Sequence, residues 1–128
     1  MKTDNFQQAN LPTIVFTGTE DFSGKSLYGT DLSMCTGITA GQIMSADTIE
    51  IATLPSITFS GTENFSGKSL FGTDLSKCIG ITASQIATVS NIRNMRITSS
   101  QYNEWSSVLQ SNFSGKYIYI DDVQTLIQ

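Results

Sequence analysis

Few side chains in this chain could support chemistry. The 128 residues include no His and two Cys, Cys35 and Cys78, so a thiol nucleophile would lack its usual imidazole base. Asp121 and Asp122 form an acidic pair, but neighbouring residues on a strand point to opposite faces, which makes a poor acid/base dyad. A charged turn ending a Tyr117–Ile120 strand is the better reading. Lys25, Lys68 and Lys116 each follow a glycine. They read either as a periodic basic row or, in preference, as lysines that keep an edge strand soluble. Tyr102, Trp105, Tyr117 and Tyr119 cluster near the C-terminus. Exposed, they would suit a protein or glycan partner; buried, they would form the core of a partial module. With no catalytic set in view, the chain reads as not an enzyme.

The elements that must position these groups are dictated by an internal repeat. Residues 14–43, IVFTGTEDFSGKSLYGTDLSMCTGITAGQI, return at residues 57–86 as ITFSGTENFSGKSLFGTDLSKCIGITASQI, identical at 23 of 30 positions with an offset of 43. The block NFSGK at 112–116 marks a third, partial copy, in which Trp105 stands eight residues before Phe113 as Ile14 precedes Phe22. This predicts an N-terminal extension over 1–13, a domain of two repeats over 14–97 (14–51 and 57–97) and a truncated third motif over 105–128. Cys35 and Cys78 fall at equivalent positions. They read as reduced, small apolar residues, with a bridge across a pseudo-twofold axis as the alternative.

Ser and Thr make up about a quarter of the residues and charged residues 14%, a balance that favours strands and polar loops over surface helices. Ile57 and Phe59 alternate with Thr58 and Ser60 as in a half-buried strand, and Gly61 to Lys68 supplies turn chemistry. Helical periodicity is confined to a short polar stretch around Ser99–Ser107 and a possible turn at Asp121–Leu126. The expected fold is all-β: about four short strands per copy form a Greek key, and two copies pack face to face as a sandwich. A net charge of −4 with scattered cations gives nucleic acid little to bind. No apolar run reaches the roughly 20 residues of a membrane span, and the N-terminus lacks the core of a signal peptide. A cytoplasmic protein, or one exported by an unusual route, is expected.

The segment ITFSGTENFSGK, with Ile57, Phe59, Phe65 and Gly67, resembles the opening of a βγ-crystallin motif, as does IVFTGTEDFSGK at Ile14–Lys25. The similarity covers residues 14–128 with the third motif truncated, and it implies a microbial-type, Greek-key structural protein. Two departures stand out. The family's aromatic five residues before the hairpin aromatic is replaced by Thr17, Ser60 and Val108. Aligned back from Ile49 and Met95, the loops where the family binds Ca²⁺ read IMSADT at Ile43–Thr48 and VSNIRN at Val89–Asn94, without paired acidic or amide residues at the start. In that alignment copy two is three residues longer, with Arg93 at a ligand position. The resemblance therefore implies at most a weak calcium site, from the hairpin carbonyls near Glu20 and Glu63, the hydroxyls of Thr48 and Ser90 and the carboxylate of Asp47.

Two functions follow as expectations. One is a non-enzymatic structural or stress-related protein with weak calcium binding. The other is a binding module whose C-terminal half-motif and aromatic cluster engage a protein or glycan, or a second copy of the chain.

Overall fold

The computed structural model describes residues 11–128, so the extension expected over 1–13 lies largely outside the described residues. Its regular elements are α1 (Ala40–Ser45), α2 (Ala83–Ile86), β1 (Arg96–Ile97), α3 (Ser99–Asn112), β2 (Tyr117–Ile120) and β3 (Val123–Leu126). The rest of the β structure consists of single bridges, and every one of these bridges is parallel.

The parallel bridges reveal the architecture. Val15 pairs with Thr36, Ser26 with Thr48, Thr58 with Ile79 and Ser69 with Asn91, and one column runs Asp31, Thr53, Asp74, Arg96. β1 carries that column on to β2, where Arg96 meets Tyr119. Each step advances 21 to 23 residues. The chain thus winds in coils that stack through parallel backbone bonds, roughly 4.8 Å apart. The 43-residue repeat is two coils of this stack, one of 22 residues and one of 21. The β-rich expectation holds in this coarse form. The Greek-key sandwich does not, because a Greek key needs antiparallel neighbours within each copy, whereas each coil here bonds to the coil before and after it.

Side-chain spacing explains why the chain coils. Phe22, Leu27, Leu32, Ile38, Ile43, Ile49 and Leu54 follow one another every five or six residues, and all are buried. The second copy repeats the series at Phe65, Leu70, Leu75, Ile81, Ile86, Ile92 and Ile97. Four such anchors per coil point inward, and burying each contributes roughly 1.5–3 kcal/mol. Tight turns separate them: Lys25 N–H bonds Phe22 O at 3.0 Å, Thr30 N–H bonds Leu27 O at 3.0 Å and Cys35 N–H bonds Leu32 O at 2.9 Å. Between anchors the inward positions are held by smaller groups such as Ala40, Ala46, Ala52 and the two cysteines. Strand alternation is therefore real but lasts only two or three residues before a turn.

Two turns break the glycine habit. Ile51 and Asn94 occupy equivalent places and share left-handed backbone, with φ of 61° and 58°. Because this match preserves the offset of 43, copy two carries no three-residue insertion; the repeats differ there by substitution alone. Ile51 is the strained member, since a β-branched residue tolerates positive φ poorly and Asn tolerates it well.

The third copy continues the stack instead of docking beside it. Its turn repeats the first two, with Lys116 N–H bonding Phe113 O at 3.2 Å and Gly115 at φ 87°. Upstream, however, the chain forms the 14-residue helix α3 where a strand aligned with Ile14 and Ile57 was expected. The reason is local. Thr98 caps the helix by accepting from Gln101 N–H, while the Gln101 side chain accepts from Thr98 N–H, a reciprocal capping box. α3 lies over the fourth coil: Gln101 Nε2 donates to Leu75 O and Cys78 O, Trp105 Nε1 to Ile81 O, and Asn112 Nδ2 to Ala87 O. β2 then stacks on β1, and β3 returns antiparallel along β2 to close a three-stranded sheet ordered β1-β2-β3. Asp121 and Asp122, at φ 49° and 66°, make the two-residue hairpin turn, in line with the charged turn read from the sequence. One hydrophobic core runs from Phe16 to Ile127.

Candidate functional site

The five candidate calcium residues do not converge. Glu20 folds back on its own loop, where its carboxylate accepts from Thr17 N–H at 2.8 Å and Gly18 N–H at 3.1 Å. Gln42, one coil later, adds a bond from Nε2 to Glu20 Oε1 and another to Glu20 O, each 3.0 Å. The second copy reproduces the set, with Glu63 accepting from Ser60 N–H at 2.7 Å, Gly61 N–H at 3.1 Å and Gln85 Nε2 at 3.0 Å. The bond from Thr17 N–H leads in holding the Glu20 carboxyl down at about 2. At Glu63 burial pushes upward, but the bonds from Ser60 and Gln85 outweigh it and leave the group at about 2 as well. Both carboxylates are thus spent on closing loops, and the carbonyls offered as ligands already accept from Gln42 and Gln85.

Asp47 and Thr48 lie elsewhere, beside Glu50, Lys68 and Ser69. There Lys68 Nζ donates to Ala46 O at 3.3 Å and Ser69 Oγ to Glu50 Oε2 at 2.6 Å. Burial pulls the Lys68 ammonium below its ordinary range, opposed by Asp47. A cation in the hollow is a poor neighbour for Ca²⁺. Ser90 belongs to the next coil, its N–H bonding Lys68 O at 2.9 Å. Among the described residues no group of three or more His, Cys, Asp or Glu side chains is placed to hold a metal.

The aromatic cluster divides. Trp105 is 1% exposed and packs inward from α3, so it belongs to the core and is not a contact surface. Tyr102 is half-buried on the same helix. Tyr117 and Tyr119 sit on β2, where Tyr117 is 49% exposed and the Tyr119 ring lies 4.1 Å from the Arg96 guanidinium. Arg96 also pairs with Asp122 at 3.3 Å. These two tyrosines, with Phe71 and Arg93 from the preceding coils, form the one part of the predicted partner surface that stays open.

Cys35 and Cys78 are buried and unbridged, with Sγ 3.6 Å from Pro12 O and 3.7 Å from Pro55 O. Burial pushes the Cys78 thiol up to about 12, which makes it an inert packing group. The sequence reading missed the glutamines. Gln42 and Gln85 are buried, and with Gln101 each closes a capping box with a threonine three residues earlier. The signal was available: Ile-Thr-x-x-Gln occurs at Ile38, Ile81 and Ile97. No helix among the described residues is long and apolar enough to cross a membrane. No protein-family model, curated protein or solved structure matches the chain.

Proposed function

We propose that the chain is a non-enzymatic structural protein, a rigid stack of coils whose stability is its function. The observation that carries this reading is the column Asp31, Thr53, Asp74, Arg96, Tyr119, which continues unbroken to a C-terminal cap of α3 and the β2–β3 hairpin. The polar side chains that a reaction would recruit are instead spent on this architecture, as at Glu20, Glu63, Gln42, Gln85 and Gln101. The reading rests on the parallel stack, not on the βγ-crystallin resemblance, whose Greek-key pairing the stack replaces. Thermal unfolding should be cooperative and unchanged by calcium or a chelator. A melting temperature that rises with calcium would overturn the metal-independent form of the proposal.

A second reading, a module that binds a protein strand or a second copy, is favoured by one observation. β3 bonds only to β2, its residues Val123–Leu126 carry no charge, and Val123, Leu126 and the neighbouring Tyr117 are exposed. Such an edge invites another strand. Light scattering across a concentration series tests it. Self-association abolished by Val123→Lys would support the reading, and a concentration-independent monomer would end the second-copy form of it.

A further inference from the structure

The near-identity of the two repeats makes the chain its own comparison, and it isolates one place where they part. With the offset of 43, Glu50, Ile51 and Thr53 of the first repeat correspond to Arg93, Asn94 and Arg96 of the second. The backbone is the same at both, down to the positive φ of Ile51 and Asn94 and the parallel bridges of Thr53 and Arg96. Only the side chains changed, from acidic and apolar to basic and amide.

In the second repeat these residues line a hollow of about 340 Å³ together with Phe71, Lys116, Tyr117 and Gln124. The volume falls within the ~300–1,000 Å³ of small-molecule sites. An adjoining hollow of about 230 Å³ shares Phe71 and Asn94 and extends to Arg96 and Tyr119. No carboxylate lines either. Arg96 is engaged by Asp122, but the side chains of Arg93, Asn94, Lys116 and Gln124 make no hydrogen bond or ion pair among the described residues. Elsewhere in the stack polar side chains are consumed by loops and caps. Here two cations and two amides are left unused around an exposed phenol ring.

We propose that this hollow binds an acidic sugar unit, a uronate within an oligosaccharide. The guanidinium of Arg93 and the ammonium of Lys116 take the carboxylate. Asn94 and Gln124 each offer a donor and an acceptor, the pairing that vicinal hydroxyls require. Tyr117, with Phe71 beside it, supplies the flat apolar surface for the C–H face of the ring. One charge per sugar also suits an acidic protein better than the dense charge of a nucleic acid. The site is independent of the structural role proposed above.

The test is a titration of the ¹⁵N-labelled full chain at low salt with a glucuronate-containing tetrasaccharide, its neutral glucose counterpart and inorganic phosphate. The expected result is saturable shifts at Arg93, Asn94, Lys116, Tyr117 and Gln124, at least tenfold weaker with the neutral sugar and absent with equimolar phosphate. Arg93→Glu, which restores the charge of the first repeat, and Lys116→Ala should each weaken binding at least fivefold, with Lys77→Ala without effect. No shift at 10 mM ligand, equal binding of phosphate, or full affinity in both variants would overturn the proposal.

Discussion

Gly80→Ala and Gly67→Ala should differ sharply in cost although both glycines have positive φ, 88° and 72°. A Cβ at Gly67 meets nothing within 4 Å, so its penalty is the left-handed backbone alone, about 1–2 kcal/mol. A Cβ at Gly80 would land on the carbonyl of Phe59, part of the backbone of the neighbouring coil. Relief requires the two coils to separate, straining the bonds from Phe59 N–H to Ile79 O at 2.8 Å and from Ile79 N–H to Ile57 O at 3.0 Å. At about 1 kcal/mol for each bond, the total for Gly80→Ala reaches about 3–4 kcal/mol, a large share of the ~5–15 kcal/mol that holds a domain together. Urea denaturation of both variants measures the difference. If Gly80→Ala lost no more than Gly67→Ala, Gly80 would not sit against the adjacent coil and the stacking would be wrong at its tightest point.

Ile51→Asn should stabilise the protein by about 0.5–1 kcal/mol in the same assay, because Asn fits the left-handed turn that Ile51 is forced to adopt. Trp105→Phe should lose roughly 1 kcal/mol for the bond to Ile81 O, and Trp105→Ala roughly 3–5 kcal/mol as the contact between α3 and the fourth coil empties. The folded carboxyls of Glu20 and Glu63 titrate at about 2 against an ordinary 4.5, so their contribution is present above pH 4.5 and is lost as the pH falls toward 2. Melting temperatures across that window should fall for the natural chain and fall less steeply for a Glu20→Gln, Glu63→Gln double variant.

Much of the site chemistry was legible in the sequence because it depended on residue type. The lack of an imidazole, the acidic turn at Asp121-Asp122 and the packing role of the cysteines could all be read from identity and neighbours. The repeat was equally plain, but its meaning was not. Ile57-x-Phe59 looks the same in a long antiparallel strand and in one short side of a coil, since alternation over three residues fits both. The distinguishing signal was the spacing of Phe22, Leu27 and Leu32, and again of Phe65, Leu70 and Leu75, a five-residue rhythm that neither a strand nor a helix produces. Trp105 was misplaced because its distance to Phe113 mimicked that of Ile14 to Phe22; the capping pair Thr98 and Gln101 carried the truer signal. Glu20 and Glu63 drew attention as metal ligands by being loop acids. Their partners Gln42 and Gln85 lie a full coil away, which only the coil period could have joined.

The central claim is that coils one above another pair in parallel. Backbone nuclear Overhauser effects on a labelled sample read this directly. Contacts linking Asp31 to Thr53, Thr53 to Asp74 and Asp74 to Arg96 in parallel register, with slow amide exchange at Thr53, Asp74 and Arg96, are the predicted result. Antiparallel contacts between the Ile57–Phe59 and Phe65–Lys68 segments, in place of that column, would contradict it and return the chain to a Greek-key pairing.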